Sequence, residues 1–276
     1  MTKSTARTLL RNVAILLAGG LVLTYAAILV LLFVYQRSFL FFGGRHELAM
    51  PAPYHTAAIT EADATRLTVW EASPSSADSP VIVFFYGNAG TLSDFADVGE
   101  KLHGEGYGIV LASYRGYSGN PGTPTEDGLM KDARAILGAL PDDHGPVILW
   151  GQSLGSGIAA RMASEGRAKA LILQSPYTAV VDVAAWRFPI FPVRWLMKDR
   201  FDTFALVPKI TVPVLIIHGT DDDVVPFRMG VALSRRFGAR ATFVPIPGHG
   251  HNDLGADDLV PVADKWLKDN AARIGR

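Results

Sequence analysis

Ser153 lies in Gly151-Gln152-Ser153-Leu154-Gly155, a G-x-S-x-G pattern whose surroundings suit a nucleophile. The apolar run 147–150 leads straight into it, and the small residues Ser156-Gly157-Ile158-Ala159-Ala160 lead out. This predicts a sharp strand-to-helix turn that lifts the hydroxyl above a sheet. A helix beginning there adds positive potential beside a developing oxyanion. The hydroxyl needs a base to take its proton. Of the seven histidines, His251 and His249 lie in the loop after the last strand-like run, and His251, just before the last helix, is preferred. His46 and His55 sit near an amino-terminal connector, His103 and His144 on or beside helices, and His218 closes a strand, a position usual for a structural side chain. The acid is expected after the run 214–217, where Asp221, Asp222 and Asp223 are adjacent. Three neighbouring carboxylates cannot all face one imidazole, and Asp222 is chosen to orient and stabilise an imidazolium. Two backbone N–H groups must hold the oxyanion, and Leu154 and Asn88, in Gly87-Asn88-Ala89-Gly90, are the candidates.

Other chemistries fit less well. The chain of 276 residues has no cysteine, which removes thiolate nucleophiles, disulfides and sulfur-ligated metals. Consecutive aspartates converge poorly on a metal, so no metal is expected. Residues 155–160 also read as G-x-G-x-x-A. The first glycine of that pattern lies five residues past its strand, and the next strand ends Leu173-Gln174-Ser175 with no acid for a ribose, so no dinucleotide cofactor is expected. Lys plus Arg equals Asp plus Glu at 26 each, which gives no sign of a nucleic-acid partner.

The elements that must position these residues are legible as alternating patterns. The runs 81–86, 109–112, 147–150, 170–173 and 214–217 are dense in apolar and β-branched residues, as strands buried on both faces are. Between them, Phe95, Val98 and Leu102 share one helical face, and Leu129, Ala133, Ile136, Leu137 and Leu140 share another. The second helix is expected to start at Thr123 as N-cap, with Pro124 first and Glu126 closing a capping box. Strand–helix repetition over this length predicts a three-layer α/β architecture with a mostly parallel sheet. The stretch 186–208, rich in Phe, Pro and Trp, breaks the rhythm and reads as a small lid insertion over something apolar.

Residues 13–35 carry no charge, and as a helix they would span about 34 Å, enough to cross a bilayer. The run is longer than a signal-peptide core, and no small-x-small site follows it, so an uncleaved transmembrane anchor is expected. Lys3, Arg7 and Arg11 precede it, and Arg37 and Arg45 follow. This asymmetry places residues 1–12 in the cytoplasm and the carboxy-terminal domain on the other side of the cell membrane. Without the first three bases the chain holds 23 basic and 26 acidic residues, a net of −3. Residues 36–65 read as a connector with the first irregular strands, and residues 66–276 as the globular domain. Phe39, Leu40, Phe41 and Phe42 suit the interfacial layer or a place under that domain.

Taken together, these segments resemble the α/β-hydrolase superfamily over about residues 66–271. The residues that carry the resemblance are Tyr86-Gly87-Asn88-Ala89-Gly90, Tyr114-Arg115-Gly116-Tyr117-Ser118-Gly119, Gly151-Gln152-Ser153-Leu154-Gly155, Ser175-Pro176-Tyr177-Thr178, His218-Gly219-Thr220-Asp221-Asp222 and Gly250-His251-Asn252-Asp253. With the anchor, they resemble a single-pass branch of depalmitoylase-like and lysophospholipase-like serine hydrolases. The resemblance implies hydrolysis of carboxylic esters or thioesters on a Ser-Asp-His triad, with no metal or organic cofactor and a small-molecule or lipid-like acyl substrate. It also supports Asp222, four residues after His218, and His251 ahead of Asn252-Asp253. An amidase or peptidase on the same triad is the alternative, since the fold does not choose the leaving group. A non-catalytic tethered binding domain is a third reading. One departure stands out, because the loop opens Tyr86-Gly87 where the family has His-Gly; it bears on the bracing of the oxyanion loop, not on the reaction class. Arg115 is expected to buttress the site, with contact to an anionic substrate as the alternative.

Overall fold

The computed structural model of the chain describes residues 3–43 and 49–275, so Arg45 and His46 lie outside the described residues. The strands are β1 (His55–Thr60), β2 (Arg66–Ala72), β3 (Val81–Phe85), β4 (Gly108–Ala112), β5 (Val147–Gln152), β6 (Ala170–Gln174), β7 (Val214–Gly219) and β8 (Ala241–Ile246). The helices are α1 (Lys3–Leu40), α2 (Ala96–Gly104), α3 (Glu126–Gly138), α4 (Leu154–Ser164), α5 (Val180–Arg187), α6 (Val193–Leu196), α7 (Thr203–Leu206), α8 (Phe227–Phe237), α9 (Ala256–Asp269) and α10 (Ala271–Ile274).

All eight strands form one sheet in the order β1-β2-β4-β3-β5-β6-β7-β8. The first two pairings, β1 with β2 and β2 with β4, are antiparallel, and the remainder are parallel. Every residue of β3, β4, β6 and β7 is buried, as expected for strands covered by helices on both faces. Parallel register brings Phe85 opposite Gly151, Gln152 opposite Gln174 and Gln174 opposite Ile217. The carboxyl ends of β3, β5, β6 and β7 therefore share one edge, where ligands of open α/β sheets bind.

The first strand starts at His55, within the stretch read as holding the first irregular strands, and its pairing with β2 makes it the sheet edge. Two local expectations are revised. The cap of α3 is Thr125, not Thr123: Thr125 is extended, and its hydroxyl accepts the Gly128 N–H at 2.9 Å. Glu126 accepts from the Arg200 N–H instead of closing a capping box. The insertion 186–208 buries Leu206 and Val207, yet Trp195 is 88% exposed and Ile190 72%, so much of it faces outward. Helix α1 contains the whole 13–35 run and is long and apolar enough to cross a membrane. At its end, Phe39 and Phe42 are exposed, while Phe41 is buried edge-on against Phe201.

Candidate active site

Ser153 sits between β5 and α4 with φ 48° and ψ −117°. A non-glycine residue rarely holds a positive φ, at a cost of about 1–3 kcal/mol, and tight surroundings enforce it here. A Cβ on Gly151 would collide with the Gly155 carbonyl, and one on Gly155 with the carbonyls of Phe85 and Tyr86. Only glycine at both places lets the turn close against β3. The Ser153 N–H donates to Gln174 O (3.0 Å) and the Ser156 hydroxyl to Ser153 O (2.6 Å), which pins the turn from both sides.

Three side chains from three loops meet at this edge. His251 Nε2 lies 2.9 Å from Ser153 Oγ, and His251 Nδ1 lies 2.7 Å from Asp222 Oδ2. Because Asp222 Oδ2 is an acceptor, Nδ1 carries the proton, and the bare Nε2 faces the serine hydroxyl. Asp222 is buried, and its Oδ1 accepts from the N–H groups of Val224 and Val225. Burial disfavours the charged carboxylate. The hydrogen bonds from His218, His251 and the Val225 N–H outweigh it and hold the carboxyl well below the usual carboxylate range.

The neighbours considered from the sequence lie elsewhere. His249 Nδ1 contacts Pro247 O, and its Nε2 is 3.7 Å from Asp258. Asp221 accepts from the Thr220 hydroxyl, and Asp223 is exposed.

His218 belongs to the site, a role its strand-end position does not announce. It is fully buried, with Nε2 3.1 Å from Asp222 Oδ2 and 3.0 Å from Val225 O. Both partners are acceptors, so Nε2 is the donor and His218 adds a second N–H to the carboxylate oxygen that His251 uses. Gly230 of α8 presses on the other side of the ring, where a Cβ would strike Nδ1. The four-residue spacing to Asp222 was the available signal.

The loop after β3 lies against Ser153, since a Cβ on Gly87 would come within 3.4 Å of Ser153 Cβ. Leu154 is the first residue of α4, so its N–H has no partner within the helix. Asn88 is held from two directions. Its side-chain amide donates to Leu40 O (3.0 Å), and its carbonyl accepts from the Phe42 N–H (3.1 Å) and the Tyr117 hydroxyl (3.0 Å). Tyr86, in place of the family histidine, is buried with its hydroxyl 2.9 Å from Ser113 Oγ. Its ring packs with Tyr114 and Tyr117 at centroid distances of 4.7 and 5.9 Å. Arg115 is turned inward to Asp132, Glu61 and Asp63, so its cation is spent inside the protein.

The alpha/beta hydrolase fold family profile matches residues 80–208. An uncharacterized protein of Mycobacterium tuberculosis (strain ATCC 25618 / H37Rv) is 37% identical over 196 residues, covering 69% of this chain and 70% of that one. The lysophosphatidylserine lipase ABHD12 of Rattus norvegicus is 32% identical over 218 residues, covering 68% of this chain and 53% of its own length. Among solved structures, ferulic acid-bound Est1E from Butyrivibrio proteoclasticus superposes with a TM-score of 0.69 at 22% identity, over 78% of this chain and all of that one. The Pyrococcus furiosus esterase Pf2001 gives 0.65 at 18% identity, over 84% and 97%. At those identities the two structures attest the fold. With the parallel sheet, the glycine-walled serine turn and these relatives together, the chain is an enzyme that belongs to the α/β-hydrolase family.

Proposed function

We propose that the protein is a membrane-anchored serine hydrolase that cleaves carboxylic esters or thioesters through an acyl-enzyme, with its catalytic domain on the non-cytoplasmic side. The reading rests on one observation, the His251 ring bridging Ser153 Oγ and Asp222 Oδ2 at 2.9 and 2.7 Å. Ser153 Oγ attacks the acyl carbonyl while His251 Nε2 takes its proton. The backbone N–H groups of Leu154 and Asn88 receive the oxyanion. The intermediate collapses as Nε2 returns the proton to the leaving oxygen or sulfur. Water then attacks the acyl-serine with the same base, and a second tetrahedral intermediate releases the acid and restores Ser153. Asp222 stays ionised throughout and stabilises the imidazolium.

The lipase among the relatives favours a lipid-like acyl ester as substrate, and the run 13–35 within α1 supports the anchor. A fluorophosphonate probe and p-nitrophenyl esters test the chemistry. The wild type should label and turn over, while Ser153→Ala and His251→Ala should each lose both, by about three orders of magnitude or more in turnover. The double variant should be little worse than either single one, and His249→Ala should stay within a few-fold of wild type. Labelling that survives Ser153→Ala would overturn the proposal. An essential His249 with a dispensable His251 would reassign the base.

A further inference from the structure

The insertion does not stand clear of α1 but runs alongside it. Arg37 Nε donates to Asp199 Oδ2 at 2.7 Å, Gln36 bonds to Leu196 O and the Lys198 N–H, and Lys198 Nζ lies 4.3 Å from the centre of the Phe33 ring. Further back along the helix, the Tyr25 hydroxyl donates to Ile190 O at 2.7 Å, and its ring stacks on Phe191 at 5.8 Å and 10°. From Arg37 back to Tyr25 is about 18 Å of helix. The tip of the insertion thus lies level with the uncharged run, not beyond its end.

Its surface suits that level. Among the described residues outside 1–43, the large exposed apolar side chains are concentrated here, in Trp186, Phe188, Ile190, Trp195 and Phe204, with Met50 and Val224 elsewhere. Most of its backbone N–H groups, that of Ile190 excepted, are also satisfied without water. Pro189 and Pro192 have no N–H to satisfy. The N–H groups of Phe188, Phe191, Val193, Trp195, Leu196 and Met197 all donate to carbonyls within residues 184–193. A tip facing water has no need of that closure, whereas one in hydrocarbon does. Lys198 and Arg200 follow the tip and suit the headgroup layer behind it, while Arg194 within it is paired with Asp182.

We propose that the tip, residues 186–197, is immersed beside α1 in the leaflet on the domain's side, so that the enzyme takes its acyl substrate laterally from the bilayer. This rests on the anchor reading above. The candidate entrance is a groove of about 790 Å³ between the tip and α8, lined by Thr178, Trp186, Phe191, Trp195 and Met229 among others. Its Thr178 wall lies four residues past Gln174, the register partner of Gln152 beside the nucleophile.

The absence of cysteine permits a direct test on the full chain. Single cysteines at Ile190, at Val22 in the anchor and at Asp143 in the exposed loop before β5 are labelled with an NBD fluorophore, and each protein is reconstituted in phosphatidylcholine vesicles containing doxyl-labelled lipid. The probes at 190 and 22 should be blue-shifted and quenched, and the one at 143 should not. Quenching at 22 with none at 190 overturns the immersion and leaves the anchor intact. Quenching at neither removes the anchor reading and the proposal with it. Ile190→Asp should keep turnover of soluble p-nitrophenyl acetate and lose about tenfold or more against an ester embedded in vesicles. Equal retention on both substrates would overturn the lateral supply.

Discussion

His218 and His251 share one oxygen of Asp222, and the two bonds do different work. The bond from His251 couples the carboxylate to the proposed base, while the bond from His218 sets how tightly that carboxylate holds a neighbouring proton. His218 is a positioning residue in this reading, and a His218→Leu variant should separate that role from plain packing. With one donor fewer, Asp222 should hold the imidazolium proton more tightly. We expect kcat to fall about tenfold with little change in KM, and the acid limb of kcat/KM to move to higher pH. His218→Gln, which keeps a donor, should recover part of both. A loss of activity with an unmoved acid limb would mean that His218 only fills space against Gly230.

The elements behind the site are tied together by a buried charge cluster. Asp132 of α3 accepts from the Arg115 backbone N–H at 2.8 Å and from its Nε at 2.7 Å, while Arg115 Nη2 donates to Glu61 at 2.8 Å. Two buried carboxylates thus face one guanidinium, with the half-exposed Asp63 outside. Burial, together with the hydrogen bond and charge of Glu61, outweighs Arg115 and pushes the Asp132 carboxyl up to about 8. A folded-state value above the unfolded one means that the folded chain binds the proton more tightly. The stabilisation is complete below about pH 4 and is lost as the pH rises through about 8. Melting temperatures across that range should therefore decline less steeply for Asp132→Asn than for wild type. Parallel curves for the two would show that Asp132 is ionised throughout and paired with Arg115 alone.

In the whole molecule, α1 and the α/β domain are one structure and not two units on a string. The end of α1 and the segment after it reach the loop after β3 through Leu40 and Phe42, and its middle reaches the insertion through Tyr25. With α1 as the anchor proposed above, such contacts would fix which face of the domain meets the bilayer, and the basic residues at the amino terminus would decide on which side of it the domain lies. Lys3, Arg7 and Arg11 outnumber the bases after the run. A reporter fused to the carboxy terminus should be active only outside the cytoplasm. Activity confined to the cytoplasm would invert the topology and leave the site chemistry untouched.

What could be read along the chain was what local pattern encodes. Runs of β-branched residues marked β3 to β7, because strands covered on both faces need apolar side chains at every position. The serine turn was legible because glycine is required where backbones touch, at Gly151 and Gly155. The order of serine, acid and histidine narrowed the candidates to a few neighbours, but the choice among them lay in space. Ser153 meets His251 across 98 positions and Asp222 meets His251 across 29, and the aim of each side chain depends on the strands that carry its loop. His218 was hidden for the same reason, since its ring is directed by Gly230 on a helix later in the chain. The cap of α3 was misplaced by two residues because Thr123 and Thr125 offer the same hydroxyl, and only the backbone conformation distinguishes them. The outward face of the insertion and its contact with Tyr25, across 165 positions, had no local signature, because apolar residues facing lipid and apolar residues facing a core are written alike.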